Sequence, residues 1–179
     1  MKDNKNVSTG ITYGIIIGLV YVIMLFFRWS IATNIIRFGL YTFLGYVIIL
    51  GLLTFEALQR RKMDSGFIEL KSLFQTLFIS VLIFEFFYSL YTYIHLTYID
   101  PGVGDRMRQG MQEMFDKVGD KMSDDDKEKA LEKIGNIKRA TEIPQMIKGY
   151  LSSVAITGIF ALIISAIVKK KKPVFEEIS

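Results

Sequence analysis

Residues 73–100 read LFQTLFISVLIFEFFYSLYTYIHLTYID, an almost unbroken apolar run with one carboxylate, Glu85, near its middle. About 20 residues at about 1.5 Å rise each already cross the roughly 30 Å hydrocarbon layer of a bilayer. The run is therefore too long and too apolar for a core helix of a water-soluble protein. We interpret it as a membrane span.

The composition of the whole chain agrees with a membrane protein. Of its 179 residues, 51% are hydrophobic, and the mean hydropathy is +0.33. The chain has no cysteine and only one histidine, His95, which excludes disulfides, thiolate metal sites and every motif that needs two histidines. The net charge is +4, but the basic residues crowd beside apolar runs, so membrane orientation explains them better than nucleic-acid binding. We expect no nucleic-acid partner and no cofactor.

Hydropathy predicts an all-α membrane protein with four transmembrane helices in up-and-down order. The expected spans are residues 10–27, 35–58, 73–98 and 144–168. Short links join the first three spans as antiparallel hairpins, whereas a long charged insert, residues 100–143, separates the third span from the fourth. We expect one transmembrane domain, residues 1–179, that carries the insert as a short helical cap outside the cytoplasm.

The basic residues beside the spans predict the orientation, because Lys and Arg are disfavoured on the translocated side. They concentrate before the first span, between the second and third spans, and after the fourth span: Lys2, Lys5, Arg60, Arg61, Lys62, Lys71 and Lys169 to Lys172. The opposite side has Arg28 and Arg37 at its short turn and a mixture of acidic and basic residues in the insert. We therefore expect both termini to be cytoplasmic.

Small residues repeat every four positions in the first and fourth spans. Such rows let helix backbones approach closely inside lipid, where apolar side chains gain little by leaving apolar surroundings. We therefore expect the first and fourth spans to pack directly on each other. The predicted helix-packing residues are Gly10, Gly14 and Gly18 in the first span and Gly149, Ser153, Thr157, Ala161 and Ser165 in the fourth.

The insert has the pattern of two short helices. Apolar residues fall at helical spacing over residues 105–122, and a second helix is expected to start at the Ser123-Asp124-Asp125-Asp126 stretch. Met107, Met111 and Met114 could in principle offer thioethers to Cu(I). Methionine more often fills apolar contacts, so we interpret this stripe as packing and expect no metal site.

Several features together resemble a known family. They are the order of the four spans, the aromatic third span that runs into Tyr98-Ile99-Asp100-Pro101, the charged helical insert, and a glycine- and serine-bearing last span that ends in lysines. This pattern, over nearly the whole chain, resembles the domain of unknown function 4199 group of uncharacterised bacterial membrane proteins. The resemblance implies a multi-pass protein of the bacterial inner membrane, and it supplies no catalytic or binding residues.

Glu85 is the candidate for intramembrane chemistry, because an ionised carboxylate near the bilayer centre is strongly disfavoured. We expect it to be protonated and to form a polar stripe with Tyr88, Ser89 and Thr92, which share its helix face. One interpretation is a strut, hydrogen-bonded to Thr157, Tyr46 or Tyr21 of another span. The other is a proton or cation relay, for which a single carboxylate without a chain of partners is poorly suited.

Two further residues have simpler explanations. Glu56 lies four residues before Arg60, in the favoured order for an ion pair along a helix, so we expect these two side chains to pair. His95 lies among Tyr91, Tyr93 and Tyr98, and we assign it to an interfacial belt of aromatic rings instead of a metal site.

The sequence therefore predicts a scaffold, assembly or sensing component that acts through protein contacts, with the lipid bilayer and either another protein or a second copy as partners. The alternative is a subunit of a small oligomeric transporter or channel that uses Glu85. We expect no enzyme, because no nucleophile, base and orienting group converge.

Overall fold

The computed structural model describes residues 2–31, 35–118, 123–129, 132 and 142–171. They form helix α1 (Lys2–Ser30), α2 (Ile35–Met63), α3 (Leu70–Ile94), α4 (Val103–Val118) and α5 (Ile143–Val168). A π-helical turn, His95–Ile99, continues α3. The prediction of an all-α chain with four spans is confirmed, since α1, α2, α3 with its π-helical turn, and α5 are each long and apolar enough to cross a membrane.

The helices extend beyond the predicted spans mainly at one end of the bundle. α1 begins at Lys2 and α2 continues to Met63, where the sequence predicted spans at residues 10–27 and 35–58. Lys5 is within hydrogen-bond distance of Met63 O (2.7 Å) and of Asp64, so contacts between the two extensions stabilise them. We call this end, which includes the α2–α3 loop and the end of α5, the basic end. The opposite end, which includes Trp29 and the π-helical turn, is the aromatic end.

α3 lies at the centre of the bundle, and α2 lies at its edge. Within the most apolar 18-residue stretch of each helix, 44% of the α3 residues are buried, against 17% of those in α2. α3 packs most extensively on α1 and next on α5, while α2 makes smaller contacts with α1, α5, α3 and α4. The central aromatic span identified from the sequence is thus the helix on which the others assemble.

The glycines of α1 face α3, so the predicted direct packing of the first span on the fourth is wrong. A Cβ atom at Gly14 would lie 2.9 Å from Ile83 Cβ and 3.0 Å from Ser80 Cα. Gly10 and Gly18 approach Ile79 and Phe87 of α3 just as closely. Among the described residues α1 and α5 share no packed interface. α3 separates them because it offers matching surfaces on two sides.

The small residues of α5 lie on its packed side, except at the start of the row, and Ser153 and Thr157 contact Glu85 of α3. Thr157, Ala161 and Ser165 are buried, and Ser153 is partly buried. Gly149 is exposed and a Cβ atom there would meet no described atom within 4 Å. The row is thus a packing surface, and where its partner is identified, at Ser153 and Thr157, that partner is α3 and not α1.

The basic end is closed by a contact between distant parts of the backbone. The Ile68 N–H donates to Lys170 O (2.8 Å) and the Lys170 N–H donates to Ile68 O (3.1 Å), which forms an isolated antiparallel bridge. Gly66, at φ 85°, and Ser65, at φ 56°, make the tight turn that brings Ile68 to this position. The bridge fixes the end of α5 beside the α2–α3 loop.

The first helix of the insert covers part of the aromatic end. α4 buries Val103, Met107 and Phe115, and Met111 packs on the core. Met107 and Met111 thus have the packing role that the sequence predicts. In the second segment, residues 124–129 are helical and Ser123 Oγ accepts a hydrogen bond from the Asp126 N–H (3.2 Å). Residues 119–122, 130–131 and 133–141, which carry the rest of the predicted insert pattern, lie outside the described residues.

Candidate functional site

Glu85 lies between α3 and α5 and has polar partners for both carboxyl oxygens. Ser153 Oγ lies 2.6 Å from Oε2 and Thr157 Oγ1 lies 2.7 Å from Oε1. The residue is only 1% exposed. The sequence predicts Thr157 as one of three possible partners, whereas it predicts only a packing role for Ser153. The arrangement is geometrically a hydrogen-bonded strut between two helices.

The other members of the predicted polar stripe do not share these partners. Tyr88 stacks on Tyr21 of α1, with the ring centroids 5.1 Å apart. Ser89 is buried, and Thr92 Oγ1 is buried without a hydrogen-bond partner among the described residues. The stripe therefore divides: Glu85 serves the contact with α5, and Tyr88 serves the contact with α1.

Glu56 does not pair with Arg60, so that prediction is wrong. The Glu56 carboxyl turns into the bundle, where Ser80 Oγ lies 2.6 Å from its Oε1. Ser80 Oγ also lies 2.8 Å from Gly10 O, and its single proton can serve only one of the two acceptors at a time. Glu56 is fully buried, and its Oε2 has no partner among the described residues.

Arg60 instead forms a polar network at the basic end with Asn6 of α1. Its Nε donates to Asn6 Oδ1 at 3.2 Å, and its Nη2 donates to the same oxygen. Ser72 Oγ donates to that oxygen as well (3.0 Å), and Asn6 Nδ2 donates to Gln75 Oε1 (3.2 Å). Arg60 and Asn6 are almost completely buried. One side chain of α1 thus joins α2 to α3.

Asp64 completes the network at the solvent side. Lys5 Nζ lies 2.8 Å from its Oδ1, and Arg60 Nη1 lies 2.8 Å from its Oδ2. The Arg60 contact is an ion pair whose geometry does not meet the criteria for a hydrogen bond. Partial burial raises the pKa of the Asp64 carboxyl, but the Lys5 and Arg60 contacts lower that pKa by more, so it lies below its usual range. Local sequence pattern does not reveal this network, because the contacts that Lys5 and Asn6 make in it join residues 54 to 69 positions apart.

Arg28, at the aromatic end, is buried in a different environment. Its guanidinium lies 5.0 Å from the Trp29 ring centroid, 5.3 Å from that of Phe38 and 5.7 Å from that of Tyr88. No described carboxylate lies within ion-pair distance, and Arg28 Nε is buried without a hydrogen-bond partner among the described residues. The sequence indicated only a flanking basic residue, because it does not show which rings surround the side chain.

His95 lies beneath the surface of the aromatic end instead of at an exposed belt. It is 4% exposed, and its ring stacks on Trp29 with the centroids 5.6 Å apart. The Tyr91 hydroxyl lies 3.3 Å from Nδ1. Tyr98, by contrast, is 72% exposed, as expected of an interfacial ring.

The described residues contain no group of three His, Asp or Glu side chains arranged to hold a metal ion. A hollow lies between the aromatic-end halves of α1 and α2, lined in part by Tyr21, Arg28, Tyr41, Thr42 and Tyr46. Neither Glu85 nor Glu56 lines it. Among the described residues, the hollow is therefore separate from the basic-end network and from the two buried carboxylates.

Comparison with known proteins relates the chain to one family. No curated protein matches it, and no solved structure matches it. The model of the family described as protein of unknown function (DUF4199) matches residues 12–170. These residues include nearly all of the four spans and the whole insert, so the resemblance predicted from the sequence is confirmed. The chain is a member of the DUF4199 family.

Proposed function

We propose that this protein is a non-enzymatic scaffold, assembly or sensing component of the membrane that acts through contacts with another protein or a second copy. The observation that carries the proposal is the closed environment of Glu85. Both of its oxygens are occupied by α5 hydroxyls, and its side chain is buried between helices instead of facing a cavity. A transport pathway needs a polar group that a substrate can reach, whereas a strut needs the packing seen here.

The exposed side of α2 is the surface that we assign to the partner. Gly39 and Gly51 are open, and a Cβ atom at either position would meet no described atom within 4 Å. Phe43 on this helix is 64% exposed. Open glycines beside large apolar side chains form the grooves and ridges that membrane helices use for close packing. α2 is also the least buried of the spans, so it has the most surface to offer.

Site-specific photo-crosslinking in native membranes tests this assignment. A photoreactive residue in place of Phe43 should give a discrete crosslinked protein band, and Gly51→Leu in the same chain should remove it by filling the groove. Ile159 of α5, which is 60% exposed, provides the matched control position and should give no such band. Two differently tagged copies distinguish self-association from a different partner. Absence of a discrete band from Phe43 and from neighbouring α2 positions would reject the proposal.

A transporter subunit is the second candidate, and one observation favours it. The Glu56 Oε2 atom is buried without a described partner, so this carboxyl, unlike that of Glu85, has an oxygen that is free to bind a proton or a cation. Purified protein in vesicles with a pH-sensitive dye tests this candidate. Proton or cation flux that Glu85→Gln or Glu56→Gln abolishes, with no loss of stability in detergent, would replace the scaffold proposal.

We also infer that the protein lies in a bacterial inner membrane with both termini in the cytoplasm. Supporting observations are the crowding of lysines and arginines at the basic end, where α1 starts and α5 finishes, and the family membership. A reporter active only outside the cytoplasm should be silent after Ser179 and active when inserted near Asp125. The opposite pattern would overturn this orientation.

A further inference from the structure

The hollow between α1 and α2 contains a buried cation without a described polar partner. It measures about 230 Å³ including its open mouth, and Arg28 forms part of its wall. Arg28 is only 8% exposed. Buried polar groups in proteins are almost always hydrogen-bonded, so an orphan guanidinium nitrogen needs an explanation.

The surrounding rings stabilise the charge of Arg28 but accept no hydrogen bonds from its N–H groups. Trp29, Phe38 and Tyr88 lie 5.0–5.7 Å from the guanidinium carbon, in the range of cation–π contacts. A guanidinium has five N–H donors arranged to meet two acceptor oxygens at once. Among the described residues the Arg28 side chain has no hydrogen-bonding or ion-pair partner, so these donors are available to a ligand with acceptor oxygens.

The rest of the wall adds hydroxyl groups and no acidic residue. Tyr21, Tyr41 and Tyr46 line the hollow, and their hydroxyls bond to no described residue. Thr42 also lines it, but its hydroxyl is already used, since it donates to Phe38 O (2.8 Å). The only formal charge in the wall is positive. An anion that brings several oxygens therefore fits, whereas a cation does not.

The position of the mouth indicates where the anion comes from. Tyr41 is 47% exposed and Tyr46 is 48% exposed, and both lie on α2, the helix at the edge of the bundle. The hollow therefore opens sideways, toward the surrounding bilayer. Arg28 lies in the last turn of its spanning helix, at the level where lipid headgroups begin. A lipid can reach this site without leaving the membrane.

We propose that this hollow is a binding site for the phosphate of an anionic phospholipid headgroup. The Arg28 guanidinium donates to two phosphate oxygens, and the hydroxyls of Tyr21 and Tyr46 donate to the same group. The hollow is too narrow to take in a whole headgroup, so the phosphate lies at its mouth with its oxygens directed toward Arg28. The acyl chains extend from the mouth, beside Tyr41 and Tyr46, into the surrounding bilayer.

Native mass spectrometry of the purified full-length protein, released from nanodiscs, tests the site. Nanodiscs of phosphatidylcholine with and without phosphatidylglycerol are compared. The wild-type chain should retain phosphatidylglycerol in preference to phosphatidylcholine, and Arg28→Gln should lower that retention about tenfold, because it removes one charge-assisted bidentate contact. Lys148→Gln removes one exposed positive charge from the same half of the membrane and should leave retention unchanged.

Additional variants keep the test decisive if Arg28→Gln does not fold. Tyr46→Phe removes one half-exposed hydroxyl and should weaken phosphatidylglycerol retention severalfold while the thermal unfolding midpoint without lipid stays the same. Arg28→Lys keeps the charge but loses the bidentate geometry, so it should retain less lipid than wild type. Equal retention by wild type and by these variants would overturn the site. Equal stabilisation of the wild type by inorganic phosphate would overturn the lipid as its ligand.

Discussion

The two ends of the bundle each bury an arginine, but the arginines have different partners. Arg60, at the basic end, is fully buried and meets an amide oxygen and a carboxylate. Arg28, at the aromatic end, is 8% exposed and meets only aromatic rings among the described residues. A buried charge with its own partners stabilises an assembly of helices, because removing it leaves those partners unpaired. A buried charge without partners stabilises less and retains the capacity to bind a ligand.

The largest effect should come from replacing the two arginines by methionine, which has a similar length but no charge. Arg60→Met leaves the Asn6 oxygen with only Ser72 and Asp64 with only Lys5, and it should cost about 3 kcal/mol of unfolding free energy. Arg28→Met leaves no polar group orphaned, and the lost cation–π contacts are offset by the lost desolvation penalty, so we expect a change of about 1 kcal/mol or less. Reversible unfolding in mixed detergent micelles measures both. Equal losses of unfolding free energy for the two variants would contradict the proposed difference between the two arginines.

The next effect concerns the glycines that hold the two ends of α1 in register on α3. Gly14→Ala would place a Cβ atom 2.9 Å from Ile83 Cβ and 3.0 Å from Ser80 Cα, so the helices must separate. The expected cost is about 1–3 kcal/mol. Gly51→Ala on α2 meets no described atom within 4 Å and serves as the matched control, with no loss expected. The same unfolding assay applies, and a similar cost for both would contradict the α1–α3 packing.

A smaller effect is expected at Glu85, the carboxylate that could have neutralised a buried arginine but is bonded to α5 instead. Glu85→Gln keeps the shape and can still bond to both hydroxyls, so unfolding should change little. Glu85→Leu removes both interhelical bonds and should cost about 1 kcal/mol, since polar contacts in membranes are modest. Thr157→Val combined with Glu85→Leu should add little further cost, because the two changes remove one shared contact. A full additive cost would mean that the residues act separately.

The smallest effect is the response of the basic end to acid. The pKa of Asp64 is lowered in the folded state, so its contacts contribute stability above its unfolded pKa of about 3.9. That contribution is lost as the pH falls through the lower folded pKa. Thermal unfolding midpoints below pH 5 should therefore fall more for wild type than for Asp64→Asn, which lacks the titrating group. Identical acid profiles would show that Asp64 contributes nothing measurable.

The sequence predicts what depends on local pattern and misses what depends on distant pairing. The four spans, the helical starts near Ile143 and Val103, and the small-residue row of α5 follow from hydropathy and helical spacing. The sequence does not reveal that α3 is the helix that covers the glycines of α1 and meets Ser153 and Thr157 of α5. Regular spacing of small residues shows that a helix face is flat, but it does not show which helix packs on that face. Likewise, Glu56 and Arg60 are correctly spaced for an ion pair, but Ser80 and Asn6 from other helices offer buried partners that neither can find on its own helix.

The bridge between Ile68 and Lys170 has a mechanical consequence for the whole bundle. α5 is attached at its end by this bridge and near its middle by Glu85, at points about 20 Å apart for a rise of about 1.5 Å per residue. Two contacts this far apart restrict sliding and tilting of α5 more than either contact alone would. α2 is held differently, because most of its buried side chains, Ile49, Leu53, Glu56, Ala57 and Arg60, lie in its basic-end half. Its other half contacts α1 through Phe38, which packs on Trp29 with the ring centroids 5.4 Å apart, so this contact holds α2 beside the hollow that Arg28 lines.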